Sequence, residues 1–258
     1  MAKPVIDAAW KLLPGLSGNS WCDPRHQQYV HRLMPAQPFP FVDRQREYRV
    51  LRQLQRAGLG IRPINYHCGD LTVEWVQGDP LAVTDFSPHN PDLMDLLARL
   101  HHHALLGYRL QLIDLLQRYW QLCQQRHAAW LTRLQSLIRQ GEPKPLRLVP
   151  LHMDVHAGNL IQTAQGLVLI DWEYSADGDI ALELATLCLQ DPPQAEQWIA
   201  AYAQRFNLKP QLLRAQVQRW QPWLRLLQAS WYQLKAEQTQ QPAMEKLAAQ
   251  SWQSLSHC

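Results

Sequence analysis

The spacing of the hydrophobic residues changes near position 80 of the chain. Beyond it, apolar residues recur every three or four positions, which is the spacing of one face of an amphipathic helix. This pattern runs through three stretches, 91–106, 111–140 and most of 192–256. We therefore predict a mainly helical C-terminal region.

Before position 80 the pattern is mixed. The segment "QYVHRLM" (28–34) predicts a strand, and "RQREYRVLRQLQRAG" (44–58) predicts a charged amphipathic helix. A further predicted strand, "LTVEWV", ends at the breaker Gly78-Asp79-Pro80. This order predicts an α+β chain of two lobes, a small mixed lobe at 1–78 and a larger, mainly helical lobe at 79–258.

One strong strand signal stands inside the helical region. The runs "NLIQT" and "LVLID" flank "AQG", where Gly166 suits the turn of a tight hairpin. If the turn centres near Gln165, Asn159 and Asp171 become cross-strand neighbours. An amide oxygen and a carboxylate that converge in this way suit Mg²⁺, which completes its shell with water and phosphate.

Asp154 lies five residues before Asn159, in the loop "HMDVHAGN". A carboxylate placed there can face the metal and accept a proton from an attacking hydroxyl group, which together with the metal ligands is what phosphoryl transfer requires. A metal-free hydrolase is less attractive, because the chain has no GxSxG motif.

Composition narrows the choice of ligand and compartment. The 258 residues have a formal net charge of +3 without a block of Lys and Arg, so an anionic small substrate suits the chain and nucleic acid is not expected. A nucleic-acid-binding module stays an alternative because of the basic pI and 11 tryptophans. Scattered cysteines, and the lack of a leader sequence or membrane-length apolar run, predict a cytoplasmic protein without a membrane or obligate protein partner.

Two motifs resemble a known family. His152-x-Asp154-x-His156-x-x-Asn159 and the later Asp171-Trp172-Glu173 are similar to the HxDxHxxN and DWE signature of the aminoglycoside phosphotransferase and choline kinase family. The resemblance implies a two-lobed, protein-kinase-like fold and ATP-dependent phosphorylation of a small molecule. The wider wording "PLHMDVHAGNL", "LIDWEY" and "DGDIALELA" is similar to the thiamine kinases of bacteria within this family.

The resemblance implies a role for each motif residue. Asp154 would be the catalytic residue that orients the acceptor hydroxyl, with His152 bracing its loop, and Asn159 and Asp171 would bind Mg²⁺. Asp179 would steady the catalytic loop, and it is also well placed as the N-cap of the helix "IALELATLCL".

The nucleotide side is predicted from weaker signals. Gly15, Ser17 and Gly18 of "PGLSGNS" would cover the phosphates of ATP, although an ordinary turn also explains this loop. In the strand where kinases have a phosphate-binding Lys, the chain has Arg32. Its partner would be Glu47, for which a solvated helix face is the alternative. The resemblance places adenine beside the backbone from Glu74 to Val76.

Thiamine is a cation with a primary hydroxyl group, so its site would be aromatic or acidic and close to Asp154. Trp172, Glu173 and Trp223 are the predicted acceptor residues, although tryptophans at helical spacing also suit a core. The alternatives are a kinase for another small alcohol, such as choline or an aminoglycoside, and an inactive kinase-like binding protein.

Overall fold

The computed structural model describes residues 10–13, 20–25, 27–35, 37 and 39–256. The ten strands are β1 Lys11–Leu12, β2 Ser20–Cys22, β3 Tyr29–Arg32, β4 Pro63–His67, β5 Asp70–Glu74, β6 Asp79–Pro80, β7 Leu148–Leu151, β8 Leu160–Thr163, β9 Gly166–Leu169 and β10 Ala176–Asp179 in this described part. The eight α-helices described are α1 Arg44–Arg56, α2 Pro91–His102, α3 Leu112–Leu122, α4 Ala128–Gln140, α5 Ile180–Gln190, α6 Ala195–Phe206, α7 Pro210–Thr239 and α8 Pro242–Ser256.

The N-terminal part is built on an antiparallel sheet of five strands in the order β1-β2-β3-β5-β4. Strand β3 lies at its centre, and Arg32 at the end of β3 pairs with Leu71 of β5. The sheet therefore fixes the backbone that carries Arg32.

Helix α1 lies against this sheet and confirms the predicted charged helix. Asp43 caps it by accepting hydrogen bonds from the N–H groups of Gln45 and Arg46. Val50, Leu51 and Leu54 are fully buried on its inner face. Glu47 lies one turn earlier and is only 1% exposed, so the solvated alternative for this residue is wrong.

The predicted hairpin forms from β8 and β9, with Ala164 and Gln165 as its two-residue turn. Its register differs from the prediction by one residue, because Gly166 begins β9 and pairs with Thr163. The N–H of Ile170 therefore donates to the carbonyl of Asn159 at 2.9 Å, so that Ile170, not Asp171, lies opposite Asn159. Asp171 follows at the next position.

The helical region contains a break that periodicity did not predict. The stretch 111–140 forms two helices, α3 and α4, separated at 123–127. The carboxylate of Glu237 accepts hydrogen bonds from the N–H groups of Gln124 and Gln125 at 2.7 and 2.9 Å. A side chain more than a hundred residues away in sequence thus stabilises the break.

The packing of the chain defines two compact units. One comprises the described residues up to Tyr108 with Val149–Asp177, and the other comprises Arg109–Leu148 with the described residues from Gly178 onward. These units are not the lobes 1–78 and 79–258, and the boundary at Gly78 stays a prediction. In the described part of the chain, every helix is too short or too polar to cross a bilayer.

Candidate active site

Asp154 and Asn159 lie in the loop between β7 and β8, and Asn159 fixes the position of Asp154. The side-chain amide of Asn159 donates to the carbonyl oxygen of Asp154 at 2.9 Å and to its Oδ2 at 3.0 Å. Asn159 is buried, whereas 37% of the Asp154 side chain is exposed. The loop thus presents a carboxylate to solvent with one of its oxygens already held.

His152 braces this loop, as the sequence predicts for its position. Its Nδ1 accepts a hydrogen bond from the N–H of Asp154 at 3.2 Å, and its Nε2 lies 2.9 Å from the carbonyl oxygen of Ile170. A backbone N–H is always a donor, so the ring proton is on Nε2 and the imidazole is neutral. Burial lowers the pKa of His152 and favours this neutral form.

His156 lies on the exposed side of the same loop. Its Nδ1 accepts from the N–H of Gly158 at 3.0 Å, and its Nε2 lies 3.7 Å from Oδ2 of Asp154. The Asp154 carboxylate raises the pKa of His156. Asn159 and His156 thus both lie on the Oδ2 side of Asp154, and Oδ1 stays outside these contacts.

The backbone is left-handed at two positions in this region. Met153 has φ +70° and Asp171 has φ +64°. Asp tolerates this conformation because its short polar side chain relieves part of the cost, whereas Met does not. At Asp171 the chain changes direction after β9 and enters a 3₁₀ turn at Trp172–Tyr174.

Arg32 lies in a cluster of charged side chains that also contains Asp171. Its Nη2 donates to Oδ1 of Asp171 at 2.5 Å and to Oε2 of Glu173 at 2.8 Å. Its Nε lies 3.3 Å from Oε1 of Glu47, the predicted partner, but makes no hydrogen bond to any described residue. Arg44 completes the cluster, and its Nη1 donates to Glu47 at 2.8 Å and to Glu173 at 2.7 Å.

We call these five residues, Arg32, Arg44, Glu47, Asp171 and Glu173, the arginine–carboxylate cluster. Two arginines face three carboxylates, so the ordinary charge states leave one surplus negative charge. Asp171 has 25% of its side chain exposed, whereas the other four have at most 7%. Any ligand that compensates the surplus charge from solvent therefore meets it at Asp171.

Burial and charge act in different proportions on two of the three carboxylates of this cluster, Asp171 and Glu173. Burial raises the pKa of Asp171, but the charge and hydrogen bond of Arg32 more than offset it, so that the pKa lies below its usual range. Burial and the neighbouring charge of Asp171 raise the pKa of Glu173 against the effect of both arginines. Asp171 is thus the more firmly ionised of the two carboxylates.

The residues predicted to contact the acceptor are largely buried. Trp172 is 1% exposed, donates from Nε1 to the carbonyl of Leu169 at 2.9 Å and packs edge-on against His152. Glu173 is 3% exposed within the cluster. Trp223 on α7 is 2% exposed and packs against Trp220. Acceptor contact by these three residues stays a prediction.

The predicted nucleotide residues lie in several places. The N–H groups of Glu74 and Trp75 are already bonded to the carbonyls of Arg62 and Gln28. Within the described part of the chain, the N–H of Val76 makes no such bond, and its contact with adenine stays a prediction. Gly15, Ser17 and Gly18 lie outside the described residues.

Asp179 is a buried structural residue and the predicted N-cap of α5. Its Oδ1 accepts from the N–H groups of Leu146 and Ala181 at 3.1 and 3.3 Å. Its Oδ2 accepts from Nε2 of Gln216 at 2.7 Å and Nε1 of Trp220 at 2.8 Å. Asp179 therefore connects the N-terminus of α5 to α7 and to the segment before β7.

Sequence patterns did not predict Arg44, Arg46 or Asp177. Arg46 donates to the main-chain carbonyl of Glu173 at 2.8 Å. Asp177 accepts three hydrogen bonds from the N–H groups of residues 106–108, at 2.7 to 3.2 Å. A lone Arg in a charged helix and an Asp beside a Gly carry no local signal of these long-range partners.

The loop after β7 exposes the carboxylate of Asp154, and the motif of Asp171 and Glu173 follows β9. A fold that carries these two motifs is that of the small-molecule phosphotransferases. The model of the phosphotransferase enzyme family matches residues 11–216, and the chain belongs to this family.

Two relatives are similar over nearly the whole length. The thiamine kinase of Escherichia coli strain UMN026 is 41% identical over 248 residues, which cover 93% of this chain and 88% of the relative. The thiamine kinase of Salmonella dublin is 40% identical over 262 residues, which cover 98% and 90%.

Solved structures share the fold at low identity. The choline kinase LicA from Streptococcus pneumoniae is 18% identical with a TM-score of 0.78 over 98% of this chain and 93% of that chain. A choline/ethanolamine kinase family protein from Mesorhizobium loti is 19% identical with a TM-score of 0.71 over 96% and 87%. The predicted fold class is therefore confirmed.

Proposed function

We propose that this chain transfers the γ-phosphoryl group of ATP to the hydroxyl group of thiamine, giving thiamine monophosphate and ADP. The observation that carries the chemistry is the hydrogen bonding of Asn159 to both the backbone and Oδ2 of Asp154. Thiamine is proposed as the substrate because the chain is 40 to 41% identical to thiamine kinases over 93% or more of its length. ATP and thiamine are both water-soluble, and we propose that the reaction takes place in the cytoplasm.

Asp154 would act on the acceptor. With Oδ2 held by Asn159, Oδ1 is the oxygen that accepts the hydrogen of the thiamine hydroxyl group. The hydroxyl oxygen then forms a bond to the γ-phosphorus while the bond from that phosphorus to the β,γ-bridging oxygen breaks. ADP leaves with the bonding electron pair, and the proton passes to Asp154.

The residues present fit a magnesium ion. Because the amide nitrogen of Asn159 is turned to Asp154, its Oδ1 points to the other side, and Asp171 offers the exposed negative charge of its cluster. The described residues include no group of three His, Cys, Asp or Glu suited to a metal, so Asn159 and Asp171 would hold Mg²⁺ jointly with phosphate oxygens. When bound, Mg²⁺ would neutralise the charge that develops on the phosphates.

Arg32 would serve the nucleotide through its remaining donors. A guanidinium group has five N–H donors, and the described contacts use those on Nη2 while Nε faces Glu47. Nη1 is then available to a phosphate oxygen. Val76 would donate its N–H to adenine, and Gly15, Ser17 and Gly18 would cover the phosphates.

The test is product analysis by mass spectrometry after the full chain is incubated with Mg²⁺-ATP and, separately, thiamine, choline and an aminoglycoside. We expect thiamine monophosphate alone, and we expect Asp154→Ala to reduce its formation by about a thousandfold while nucleotide binding persists. Phosphorylation of another acceptor would keep the mechanism and reject thiamine. Bound nucleotide without any product would favour the inactive binding protein.

A further inference from the structure

Glu173 is a buried carboxylate that joins two arginines. Its Oε2 accepts from Nη2 of Arg32 at 2.8 Å and from Nη1 of Arg44 at 2.7 Å, and the side chains of Glu173 and Arg44 are each 3% exposed. Charge-assisted contacts of this length in a buried environment are strong, and the removal of one partner leaves the others without compensation.

The contacts close into a ring. Arg44 reaches Oε2 of Glu47 at 2.8 Å, and Oε1 of Glu47 lies 3.3 Å from Nε of Arg32. Asp171 is attached to the ring through Nη2 of Arg32, the same nitrogen that binds Glu173. One nitrogen of Arg32 is therefore shared between the carboxylate proposed to bind Mg²⁺ and a carboxylate that cannot reach solvent.

Helix α1 fixes one side of this ring. It begins at Arg44, directly after its N-cap Asp43, and Arg46 on the same first turn bonds to the main-chain carbonyl of Glu173. Two residues of α1 therefore hold the segment that follows Asp171, one through the side chain of Glu173 and one through its backbone.

We infer that Glu173 is a positioning residue for the nucleotide half of the reaction, which acts with Arg44 to set how strongly Arg32 binds Asp171. Glu173 draws Nη2 of Arg32 away from Asp171 and so leaves Asp171 able to exchange the arginine for Mg²⁺. This inference rests on the proposed function, and it assigns Glu173 to the nucleotide instead of the acceptor, for which its sequence motif predicted it.

The inference predicts a particular kinetic defect. In Glu173→Gln an uncharged amide replaces the carboxylate that draws Nη2 of Arg32 away from Asp171. Asp171 is then the one carboxylate left on Nη2, so Arg32 competes harder with the metal. The KM for Mg²⁺-ATP and the concentration of free Mg²⁺ that gives half activity should each rise at least about tenfold, the factor that corresponds to one charge-assisted contact. The KM for thiamine should stay within about twofold of the wild type.

Arg44→Gln provides a second variant. This variant leaves Glu173 in place but removes Arg44, one of its two arginine partners. Glu173 then binds Arg32 alone, which changes how Arg32 is shared between Glu173 and Asp171. Because Glu173 then draws Arg32 further from Asp171, the KM for Mg²⁺-ATP should fall, whereas the KM for thiamine should stay unchanged. Glu196→Gln is the matched control, because Glu196 pairs with Arg214 at 2.5 Å but both side chains are at least 40% exposed, where such pairs contribute little.

The experiment combines steady-state kinetics of the full chain with calorimetric binding of Mg²⁺-ATP in the absence of thiamine. Weaker Mg²⁺-ATP binding by Glu173→Gln and tighter binding by Arg44→Gln, with normal binding by Glu196→Gln, is the expected result. A thiamine KM raised tenfold with unchanged Mg²⁺-ATP binding would overturn the inference and return Glu173 to the acceptor site. Unchanged Mg²⁺-ATP binding by the folded variants would also overturn it. If the wild type does not phosphorylate thiamine, the proposed function fails, while the binding comparison still tests Glu173.

Discussion

The imidazole of His152 lies 2.9 Å from the carbonyl oxygen of Ile170, the residue that precedes Asp171. The same ring accepts the N–H of Asp154, so one neutral side chain connects the loop of the proposed catalytic residue to the backbone before a proposed metal ligand. Without the His152 ring, the N–H of Asp154 and the carbonyl group of Ile170 would not be connected.

His152→Phe should therefore destabilise the protein. A phenyl ring fills the space but leaves the Ile170 carbonyl and the Asp154 N–H without partners, which predicts a loss of about 2 to 4 kcal/mol in the free energy of unfolding. Urea unfolding measures this loss, with the exposed His89→Phe as the control. A His152→Phe variant as stable as the control would show that the two hydrogen bonds contribute nothing.

The same residue predicts a pH dependence. Burial lowers the pKa of His152 in the folded state, so the unfolded chain takes up a proton at higher pH than the folded one. Its contribution to stability should be fully present above about pH 6.5, the usual value for histidine, and be lost as the pH falls through the lower folded value. The difference in unfolding free energy between wild type and His152→Phe should thus shrink from pH 7.5 to pH 5.5.

Asn159→Asp tests whether the amide nitrogen of Asn159 is needed as well as its oxygen. An aspartate keeps an oxygen ligand for a metal but sets a second carboxylate against Oδ2 of Asp154, where Asn159 now donates at 3.0 Å. We expect kcat to fall at least about a hundredfold, equivalent to roughly 2.7 kcal/mol. Asn207→Asp, on the surface, is the control. Near wild-type turnover by Asn159→Asp would mean that Asp154 does not depend on this hydrogen bond.

Asp179→Asn should unfold at lower denaturant concentration than its small chemical change suggests. All four groups around the carboxylate are donors, so whichever way the new amide turns, its NH₂ faces donors. The expected loss is about 3 kcal/mol or more in the free energy of unfolding. Asp114→Asn, an exposed residue in the first turn of α3, should cost less than about 1 kcal/mol. Equal losses in the two variants would contradict this account.

Gly78→Ala should be much more harmful than an alanine at the hairpin turn. A Cβ on Gly78 would lie 2.3 Å from the carbonyl oxygen of Gln162 and 2.8 Å from Cγ2 of Ile161, where β6 pairs with β8. Gly166 has a φ of +118°, but beyond its two chain neighbours no atom of the described residues lies within 4 Å of its added Cβ. Thermal unfolding should place Gly78→Ala below Gly166→Ala by an amount equal to about 1 to 3 kcal/mol.

Local patterns predicted the elements that local forces decide. The amphipathic spacing of α1, the hairpin around Gly166 and the N-cap of α5 at Asp179 are all present. The order of the polar residues around the hairpin also sufficed to predict the fold class, because that order is specific to one family.

What periodicity missed depends on partners far away in sequence. The helical pattern runs through 123–127 without Gly or Pro, and the break depends on the carboxylate of Glu237. Arg44 similarly looks like one of many exposed arginines until Glu173, 129 positions later, is placed beside it. Ion pairs such as Arg44–Glu173 determine the geometry of the site because they are buried, and the local spacing of residues does not predict which charged side chains are buried.

The discontinuous packing of the first unit also has a consequence for synthesis on the ribosome. Val149–Asp177 belongs to the same compact unit as the residues before Arg109, and Arg32 finds its partners 139 and 141 positions later. The N-terminal sheet and α1 therefore emerge with two arginines that have yet to meet two of their three carboxylates. The pairing of these arginines with Asp171 and Glu173 has to wait until about two-thirds of the chain has been translated, and the nascent protein is exposed to misfolding throughout that interval.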